Sequence, residues 1–309
     1  MNIDIISFGE PLFEFSQLPG QTGDIKYLSG FGGDVSNFAI SAARQGARVA
    51  MLAHVGRDVF GEQFMSLWQR EQVNTDWVVR NPDAPTGIYF ISHDAQGHHF
   101  TFYRKGSAAS VVSASDIPAE AIAGAKLLHS SAITHAISPS SSDALFAAIE
   151  LAKQHQTLVS FDTNLRLKLW PLARARAVIH ETVRHVDFCM PSLDEARLLT
   201  GLEKADEIAD FYLHLGAKTV VLKMGADGAM VANCDDRYRV AGNKVDTVDA
   251  TGAGDCFSGA FLSQVIAGES LPDALLYANS AAALTTTGYG AVAPIPSREQ
   301  VLAFIGKER

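Results

Sequence analysis

The sequence predicts an α/β fold with a mostly parallel central sheet, and two observations lead to that prediction. From residue 126 onward, apolar runs of strand length alternate with segments of helical length. Such alternation is typical of a parallel sheet that helices cover on both faces. Residues 86–106 interrupt the pattern, because two strand-like runs there surround a polar turn at 94–97 with no helix between them. We therefore expect an α/β body with a small β-sheet attachment, formed by about residues 11–30 and 86–106.

The first half of the chain begins with residues 3–9, in which three isoleucines and a phenylalanine predict a buried strand. The apolar segment 35–45 predicts a helix, and Gly46 follows it as a glycine often follows a helix C-terminus. Further strands are expected at 49–55, 77–79, 87–92 and 99–104, and a further helix at 60–70.

The second half supplies the alternation itself. Strands are expected at 127–131, 158–162, 188–191 and 219–223, and helices at 141–155, 172–185, 193–199 and 208–215. Short strands are expected between Gly228 and Val248, before two apolar helices at 254–267 and 271–286. The chain has 309 residues, of which 47% are hydrophobic, and this is enough for the core of one domain spanning 1–309.

Composition narrows the classes of partner. The net charge of −9 argues against nucleic acid and anionic membrane as general partners. Cys189, Cys234 and Cys256 lie far apart without disulfide or zinc spacing, which favours a reducing cytoplasm. Residues 3–9 predict a strand rather than a secretion leader, and no apolar run reaches the length of a membrane span. The histidines are scattered and His98-His99 is expected at a hairpin tip, so no residue is predicted to bind a metal ion.

The most informative segment is Asp249-Ala250-Thr251-Gly252-Ala253-Gly254-Asp255, which runs into an apolar helix. A helix start carries unpaired N–H groups and a partial positive charge, and therefore suits a phosphate. Small side chains let such a ligand approach the backbone. Asp255 would stand beside the anion, where it could accept a proton from an attacking hydroxyl, as phosphoryl transfer requires. The alternative is a simple turn in which Asp255 caps the helix.

Two better-known glycine motifs are excluded at this segment. A Walker loop needs Gly-Lys-Ser/Thr after its glycines, whereas Asp255-Cys256 follows here. A dinucleotide fingerprint needs a third glycine, and Phe257 occupies that position. The sequence therefore favours neither a P-loop nor a nicotinamide enzyme.

Other candidate residues are expected where strands of the predicted sheet end. Ligands of open α/β sheets lie at the carboxyl ends of the strands. Gly32-Gly33 follow one β segment, Asn164 and Arg166 follow another, and Lys223-Met224-Gly225 follow a third. Asp255 is likewise expected to follow a strand. These residues should therefore meet at one edge.

With these residues the chain resembles the ribokinase-like (PfkB) family of carbohydrate kinases over nearly its whole length. Two signatures carry the resemblance: Gly32-Gly33-Asp34 with Asn37, and the segment 249–255 described above. Segments 192–196 and 223–228 are also similar to family segments. The resemblance implies a ribokinase-like fold, in which a Rossmann-like body carries a β-sheet lid, and an ATP-dependent kinase activity.

The resemblance also implies roles for individual residues. Asp255 would be the catalytic base, and Gly252, Ala253 and Gly254 would form the anion hole. The substrate would contact Gly33, Asp34, Asn37, Tyr89, Tyr103, Arg104 and Arg166 in addition to Asp255. The nucleotide would contact Asn164, Lys223, Gly225, Gly228, Gly252, Gly254 and Asn279. Mg²⁺ would arrive with ATP, and a monovalent cation such as K⁺ near Asp249 and Thr251 is common in the family.

Two segments are most similar to those of 2-keto-3-deoxygluconate kinases within the family. They are 102–109, Phe-Tyr-Arg-Lys-Gly-Ser-Ala-Ala, and 161–170, which contains Asn164-x-Arg166-x-x-x-Trp170. Fructokinases and aminoimidazole riboside kinases share a similar lid segment, so the second segment is the more specific. The pair Asp34-Val35 departs from the Lys-Gly of ribokinases and argues against ribose.

The arginines suggest a substrate that carries a carboxylate, because the guanidinium fork matches that group with two hydrogen bonds. We expect Arg166, with Arg104 and Tyr89, to hold the carboxylate or keto end of a sugar acid. Alternatives remain open for each residue. Arg104 could form an ion pair, Arg166 could contact ATP phosphates, the two tyrosines could be lid core, and Lys223 could be an ordinary charge at a strand end. Asp162 is expected to orient Asn164 or the strand end.

Four functions therefore remain in view. The first is a kinase that phosphorylates 2-keto-3-deoxygluconate at its 6-hydroxyl, and the second is a fructokinase or another neutral-sugar kinase. The third is a catalytically silent sugar sensor, which the intact Gly-Ala-Gly-Asp disfavours. The fourth, an NAD oxidoreductase, lacks its third glycine. An exposed apolar lid face would also allow a homodimer through the lid.

Overall fold

The computed structural model describes residues 3–18, 25–94 and 97–308. The strands are β1 (Ile3–Phe8), β2 (Leu12–Gln17), β3 (Tyr27–Gly32), β4 (Val49–Gly56), β5 (Asn74–Asn81), β6 (Gly87–Asp94), β7 (Gly97–Tyr103), β8 (Ala125–Ser131), β9 (Leu158–Asp162), β10 (Phe188–Cys189), β11 (Thr219–Lys223), β12 (Ala229–Ala232) and β13 (Arg237–Val240). The helices are α1 (Asp34–Arg44), α2 (Val59–Arg70), α3 (Ala119–Ala123), α4 (Ala132–Ala136), α5 (Pro139–Gln154), α6 (Leu172–Val183), α7 (Leu193–Thr200), α8 (Ala205–Leu215), α9 (Ala253–Ala267), α10 (Leu271–Thr285) and α11 (Arg298–Glu308).

The central sheet has the order β13-β12-β11-β10-β9-β8-β1-β4-β5. Its pairs from β11 to β5 are all parallel, and β12 and β13 extend it as an antiparallel hairpin. Central strands are apolar on both sides because helices cover both faces, and Ile5 and Ile6 of β1 accordingly lie in two different core clusters. The predicted mostly parallel α/β body is confirmed.

The second sheet is the predicted lid. Its order is β3-β2-β6-β7, in which β2 and β6 are parallel and the other pairs antiparallel. Phe13 and Phe15 of β2 pack on Phe60 of α2 with ring centroids 4.9 and 5.7 Å apart, so an aromatic cluster joins the lid to the body. Part of the predicted first lid segment, residues 19–24, and positions 95–96 of the predicted turn lie outside the described residues.

Several elements differ from the prediction. The edge strand β5 spans Asn74–Asn81 rather than 77–79, because its half-exposed polar residues hide its extent. The short helices α3 and α4 and the C-terminal helix α11 were not predicted, and β10 has two residues rather than four. Residues 241–252 contain no helix or strand, so the expectation that Asp255 follows a strand was wrong: the helix that contains it, α9, follows a loop. A loop of this length has room to carry ligand contacts.

None of the helices in the described part of the chain is both long and apolar enough to cross a bilayer.

Candidate active site

A cavity of about 1300 Å³ lies between one face of the lid and the carboxyl ends of the parallel strands. Fifteen of the predicted site residues line it: Gly33, Asp34, Asn37, Tyr89, Arg104, Asn164, Arg166, Lys223, Gly225, Gly228, Gly252, Ala253, Gly254, Asp255 and Asn279. Topology explains this meeting, since parallel strands place their ends at one edge and the lid covers that edge.

Tyr103 is the predicted residue that the structure does not place with the others. Tyr103 pairs with Ile88 on β6, whereas the preceding residue, Phe102, pairs with Tyr89. Since successive side chains of a strand point to opposite faces, Phe102 lines the cavity and Tyr103 lies on the other face of the lid. The ring of Tyr103 packs edge-on against Phe90, with centroids 6.0 Å apart.

Helix α9 begins at the floor of the cavity. Gly252 precedes its first turn with a φ of 75°, and a Cβ there would lie 2.9 Å from the carbonyl oxygen of Ala291. Only glycine fits this left-handed and crowded position without strain. Gly254, in contrast, has open space before it, because a Cβ placed there would meet nothing nearer than Lys223 Nζ at 3.7 Å. The first turn therefore offers its backbone N–H groups to the cavity.

Helices α1 and α9 pack closely enough to bring the two sequence signatures together. Gly259 of α9 touches α1 so closely that a Cβ on it would lie 2.6 Å from the carbonyl oxygen of Phe38. One result is the hydrogen bond that Asn37 Nδ2 donates to Asp255 Oδ2, at 2.9 Å. Residues 218 positions apart thus fix the orientation of the Asp255 carboxyl group.

The carboxyl groups of Asp34 and Asp255 interact electrostatically. The pKa of Asp255 is raised to about 8, first by removal from water and then by the nearby charge of Asp34, while Asn37 and Lys223 oppose the shift. The pKa of Asp34 is raised as well, by burial and by the charge of Asp162. Carboxyl groups that interact this strongly titrate as a set. The protonation of Asp255 is therefore linked to that of Asp34.

Asn164 lies between the predicted nucleotide and sugar residues. Its Nδ2 donates to Asp34 Oδ2 at 2.8 Å, and its backbone N–H donates to Asp162 Oδ1 at 3.1 Å. The expectation that Asp162 orients Asn164 matches this second bond. Asp162 also accepts from the ammonium group of Lys223, a partner that the sequence did not indicate.

Sequence reasoning missed two buried acids that contact lid residues of the cavity, and one of them, Glu10, lines the cavity itself. The buried Glu10 accepts from Arg104, and the buried Glu14 accepts from the hydroxyl of Tyr89. Burial raises the pKa of Glu10 to about 7, although Arg104 opposes that shift. The signal for Glu10 was its position directly after the first buried strand, which is where ligand residues were sought on other strands.

Aromatic rings cover the rest of the lid's inner face. Tyr89, Phe102 and Phe100 stack in sequence, with centroids 5.5 and 6.3 Å apart. Phe100 and Phe102 are 44% and 39% exposed, so both offer apolar surface to a ligand. The Arg104 guanidinium carbon lies 5.0 Å from the centroid of Phe102, which holds that cation against the lid.

Arg166 lies at the rim of the cavity. Its Nη1 forms an ion pair with Glu195 Oε1 at 2.8 Å and also donates to the Leu165 carbonyl at 3.0 Å. The side chain is 52% exposed, so water weakens that pair. The remaining N–H groups of Arg166 can thus turn toward a ligand at little cost.

The other half of the cavity is built from small residues and backbone. Gly228 has a φ of 94°, and a Cβ on it would lie 2.0 Å from the Val240 carbonyl oxygen. Asn279 of α10 donates to the Ala241 carbonyl at 2.8 Å and lies beside Ala282 and Ala283 on the cavity wall. The small residues at these positions let a ligand approach the backbone closely.

No group of three or more His, Cys, Asp or Glu side chains in the described residues is arranged to hold a metal ion.

The carboxylate of Asp249 accepts from the Thr251 N–H at 2.9 Å, from the Thr251 hydroxyl at 2.6 Å and from the Gly290 N–H at 2.9 Å. These bonds join the loop before α9 to the loop after α10.

Comparison with known proteins gives a consistent result. The model of the pfkB family carbohydrate kinases matches residues 2–298. A 2-dehydro-3-deoxygluconokinase of Thermoproteus tenax is 35% identical, and the match covers 96% of this chain and 92% of the relative. A probable fructokinase-2 of Arabidopsis thaliana is 33% identical, with 97% and 95% covered. A solved putative ribokinase II from E. coli, in complex with ATP and Mg²⁺, superposes with a TM-score of 0.90 at 26% identity, with 99% of both chains covered.

Proposed function

The chain belongs to the pfkB family of carbohydrate kinases, and on that premise we propose that it transfers the γ-phosphoryl group of ATP to the 6-hydroxyl of 2-keto-3-deoxygluconate. The oxygen–phosphorus bond to the sugar forms as the bond between the γ-phosphorus and the β–γ bridging oxygen breaks. ADP leaves, and the hydroxyl proton goes to the carboxylate of Asp255. The observation that carries the proposal is the position of Asp255, which Asn37 orients beside the open first turn of α9.

The proposed roles follow from charge and space in the cavity. The N–H groups at residues 252–254 would hold the migrating phosphoryl group, because a helix start attracts anions. Asp255 would act as the base, since a pKa near neutrality suits proton transfer at physiological pH. Gly33, Asp34 and Asn37 would meet the sugar hydroxyls from the start of α1.

Nucleotide binding is assigned to the wall formed by Lys223, Gly225, Gly228 and Asn279. Mg²⁺ usually binds through nucleotide phosphates and water with few protein ligands, and this cavity suits that mode, since its described residues supply carboxylates but no ready-made metal cage. The ion would neutralise phosphate charge during transfer. A monovalent cation near Asp249 and Thr251 stays a prediction, as do the homodimer through the lid and the cytoplasmic location.

The choice of a sugar acid is supported by the two arginines of the cavity. Arg104 is 12% exposed in its side chain and stacked on Phe102, so its guanidinium plane is fixed before a ligand arrives. Arg166 is held only by rim contacts. Both guanidinium groups line the same cavity, and a carboxylate can accept two hydrogen bonds from either of them. Similarity to the Thermoproteus tenax 2-dehydro-3-deoxygluconokinase points to the same substrate.

A neutral-sugar kinase is the second candidate, and one observation favours it. Both arginines already have carboxylate partners, Glu10 and Glu195, so their charge is largely compensated before substrate binds. The similarity to a probable fructokinase is nearly as high as that to the acid kinase. A substrate panel therefore has to decide.

That panel compares 2-keto-3-deoxygluconate, gluconate, fructose and ribose as acceptors, with ADP formation as the readout. We expect kcat/KM for 2-keto-3-deoxygluconate to exceed that for fructose by at least roughly 30-fold, the lower end for one buried charge contact. Phosphorus NMR of the product should place the new ester on the 6-oxygen. Faster turnover of fructose would reject the sugar acid and keep the kinase.

Substitution of Gly254 tests the anion seat. Gly254→Ala adds a methyl group that fits the helix and meets only Lys223 Nζ, so folding stability should be unchanged or slightly higher. The methyl group would occupy the approach of the phosphoryl group, and we expect kcat to fall roughly 10- to 100-fold. Gly306→Ala is the matched control, since Gly306 also lies in a helix with open space around it. Wild-type kcat in Gly254→Ala would contradict the assigned anion seat.

A further inference from the structure

The buried pair of Asp162 and Lys223 lies at the carboxyl edge of the sheet, below the start of α9. Asp162 ends β9 and Lys223 ends β11, and β10 lies between them. Strands separated by a third strand are about 10 Å apart, so the ion pair has to reach across the chain between them. That chain continues past Cys189, where the Met190 N–H donates to the Phe161 carbonyl and the Pro191 carbonyl accepts from the Lys223 N–H.

Lys223 is directed toward the transfer site. Its side chain is 13% exposed, and its Nζ lies 3.7 Å from the position of a Cβ on Gly254. The ammonium group is therefore next to the N–H groups of the first turn of α9. Two sources of positive potential, a full charge and a helix start, coincide where Gly254 leaves room for an anion.

Asp162 is held more firmly than an ordinary partner of a surface lysine. Its Oδ1 accepts from the Asn164 N–H at 3.1 Å, and its Oδ2 accepts from the Ser258 hydroxyl at 3.3 Å in addition to Lys223. The residue is 5% exposed. A lysine side chain has several rotatable bonds and loses much entropy when it is ordered, so a fixed carboxylate is needed to keep it in one place.

We infer that Asp162 is a positioning residue for phosphoryl transfer: it holds the Lys223 ammonium group beside the start of α9, where that charge stabilises the phosphoryl group in the transition state. This inference rests on the proposed kinase function, and it does not depend on which sugar is the acceptor. Preorganised charge of this kind acts mainly on kcat, because it is strongest where negative charge develops.

The charges around Asp255 give the inference a readout that a structural role lacks. Asp34 from α1, Asp162 from β9 and Lys223 from β11 act on its carboxyl group, and Asn37 and Tyr89 face it without charge. Asp162 raises the pKa of Asp255 and Lys223 lowers it. The charges of Lys223 and Asp162 also act on the buried His129 and Cys189, and burial favours the neutral form of both.

The test measures kcat, KM for the sugar, and the pH profile of kcat/KM for the best acceptor of the wild type. Asp162→Asn should lower kcat roughly 10- to 100-fold with little change in KM, as expected for a misplaced charge. The acid limb of the kcat/KM profile of Asp162→Asn should move to lower pH, because the substitution removes a negative charge near Asp255. Lys223→Met should also lower kcat but move the limb to higher pH, because the positive neighbour is gone.

Asp187→Asn is the matched control. Asp187 also pairs with a lysine, Lys218, at 2.6 Å and accepts from the Val159 N–H at 2.7 Å, but it precedes β10 at the opposite edge of the sheet. The same substitution there should affect thermal stability and leave kcat and the pH profile unchanged. The double variant Asp162→Asn/Lys223→Met should lose no more than Lys223→Met alone, because Asp162 acts through Lys223.

The outcomes separate the inference from the proposed function. A wild type that phosphorylates no sugar would overturn both. An active wild type in which Asp162→Asn behaves like Asp187→Asn, or in which the two losses in the double variant add fully, would overturn the inference alone. If Asp162→Asn fails to fold, the Lys223→Met profile decides, and an unmoved or lowered acid limb there would refute it.

Discussion

Asp255→Asn should abolish most catalysis while leaving the fold and the binding of ATP intact. General base catalysis typically contributes 10²–10⁴-fold, so we expect kcat to fall by roughly that factor. Asn keeps the size of the side chain and can still bond to Asn37, which holds the carboxyl group at 2.9 Å in the wild type. Stopped assays of product formation and isothermal titration with a non-hydrolysable ATP analogue would measure the two effects separately.

The pH profile tells base catalysis from a mere loss of charge. The pKa of Asp255 is raised to about 8, and the base is active when deprotonated, so wild-type kcat/KM should rise with pH up to about 8 and level off above it. The residual activity of Asp255→Asn should lack this limb. A variant that keeps the limb would show that another group titrates.

The Asp255→Asn substitution should raise the folding stability of the protein although it lowers activity. A carboxyl group whose folded pKa is raised contributes its full stability below its unfolded pKa near 4, and the contribution is lost as pH rises through about 8. Asn carries no such charge. Asp255→Asn should therefore be more stable than the wild type at pH 8 to 9, by about 0.5–2 kcal/mol, the usual gain when a strained functional group is removed. Thermal melts across pH would measure it.

Asp273→Asn is the matched control for these experiments. Asp273 lies in the first turn of α10, where the hydroxyl of Ser270 donates to it at 2.5 Å, and it is remote from the cavity. The sequence alone also allowed Asp255 to be a simple helix cap. If Asp255→Asn and Asp273→Asn lose similar small amounts of stability and no activity, that alternative is correct, and another group must act as the base.

Local patterns in the sequence were sufficient for most of the fold. Short continuous apolar runs located the strands that are buried on both faces, and apolar segments of helical length located the longer helices. The glycines before Asp255 were informative because each has a specific role in the structure. Gly252 adopts a left-handed conformation, and Gly254 leaves space at the helix start for a ligand. The full extent of edge strand β5 and the short helices were not predicted, because they bury too few side chains to produce a clear apolar pattern in the sequence.

The cavity itself was less accessible to sequence reasoning, because its contacts join distant parts of the chain. Asn37 and Asp255 are 218 positions apart, and Arg104 and Glu10 are 94 apart. Neither pair leaves a local signal. Tyr103 illustrates a second limit, since a shift of one position in a strand exchanges the faces of the sheet and puts Phe102 in the cavity instead.

Arg104→Met should reduce kcat/KM for the sugar acid by roughly 30- to 5000-fold, which corresponds to the 2–5 kcal/mol lost when one partner of a buried charge contact is removed. Methionine keeps the apolar contact with Phe102 but provides no N–H groups. If Arg104 recognises the substrate carboxylate, fructose turnover should fall much less than turnover of the sugar acid. Initial rates with both sugars would measure that ratio.

The structure also gives Arg104 a purely structural explanation, and a second variant separates the two. Removing Arg104 leaves Glu10 buried and unpaired, with a pKa already raised to about 7, so Arg104→Met loses stability for that reason alone. Glu10→Gln in the same chain removes this buried charge and should restore much of the stability. Recognition of a carboxylate should stay lost, because no cation has returned.

A comparison with Arg44 makes the outcome decisive. Arg44 forms an ion pair with Glu71 at 2.8 Å, is similarly protected at 23% exposure of its side chain, and lies at the far end of α1, away from the cavity. Arg44→Met should cost stability without changing the ratio of sugar acid to fructose turnover. If Arg104→Met behaves in the same way, the Glu10 pair serves only to join lid and body. The alternative outcome is a selective loss of sugar-acid turnover that persists in the Glu10→Gln background. It would mean that the substrate carboxylate accepts from N–H groups of Arg104 that Glu10 leaves free. Glu10 would then serve to hold the guanidinium group in place before the sugar binds.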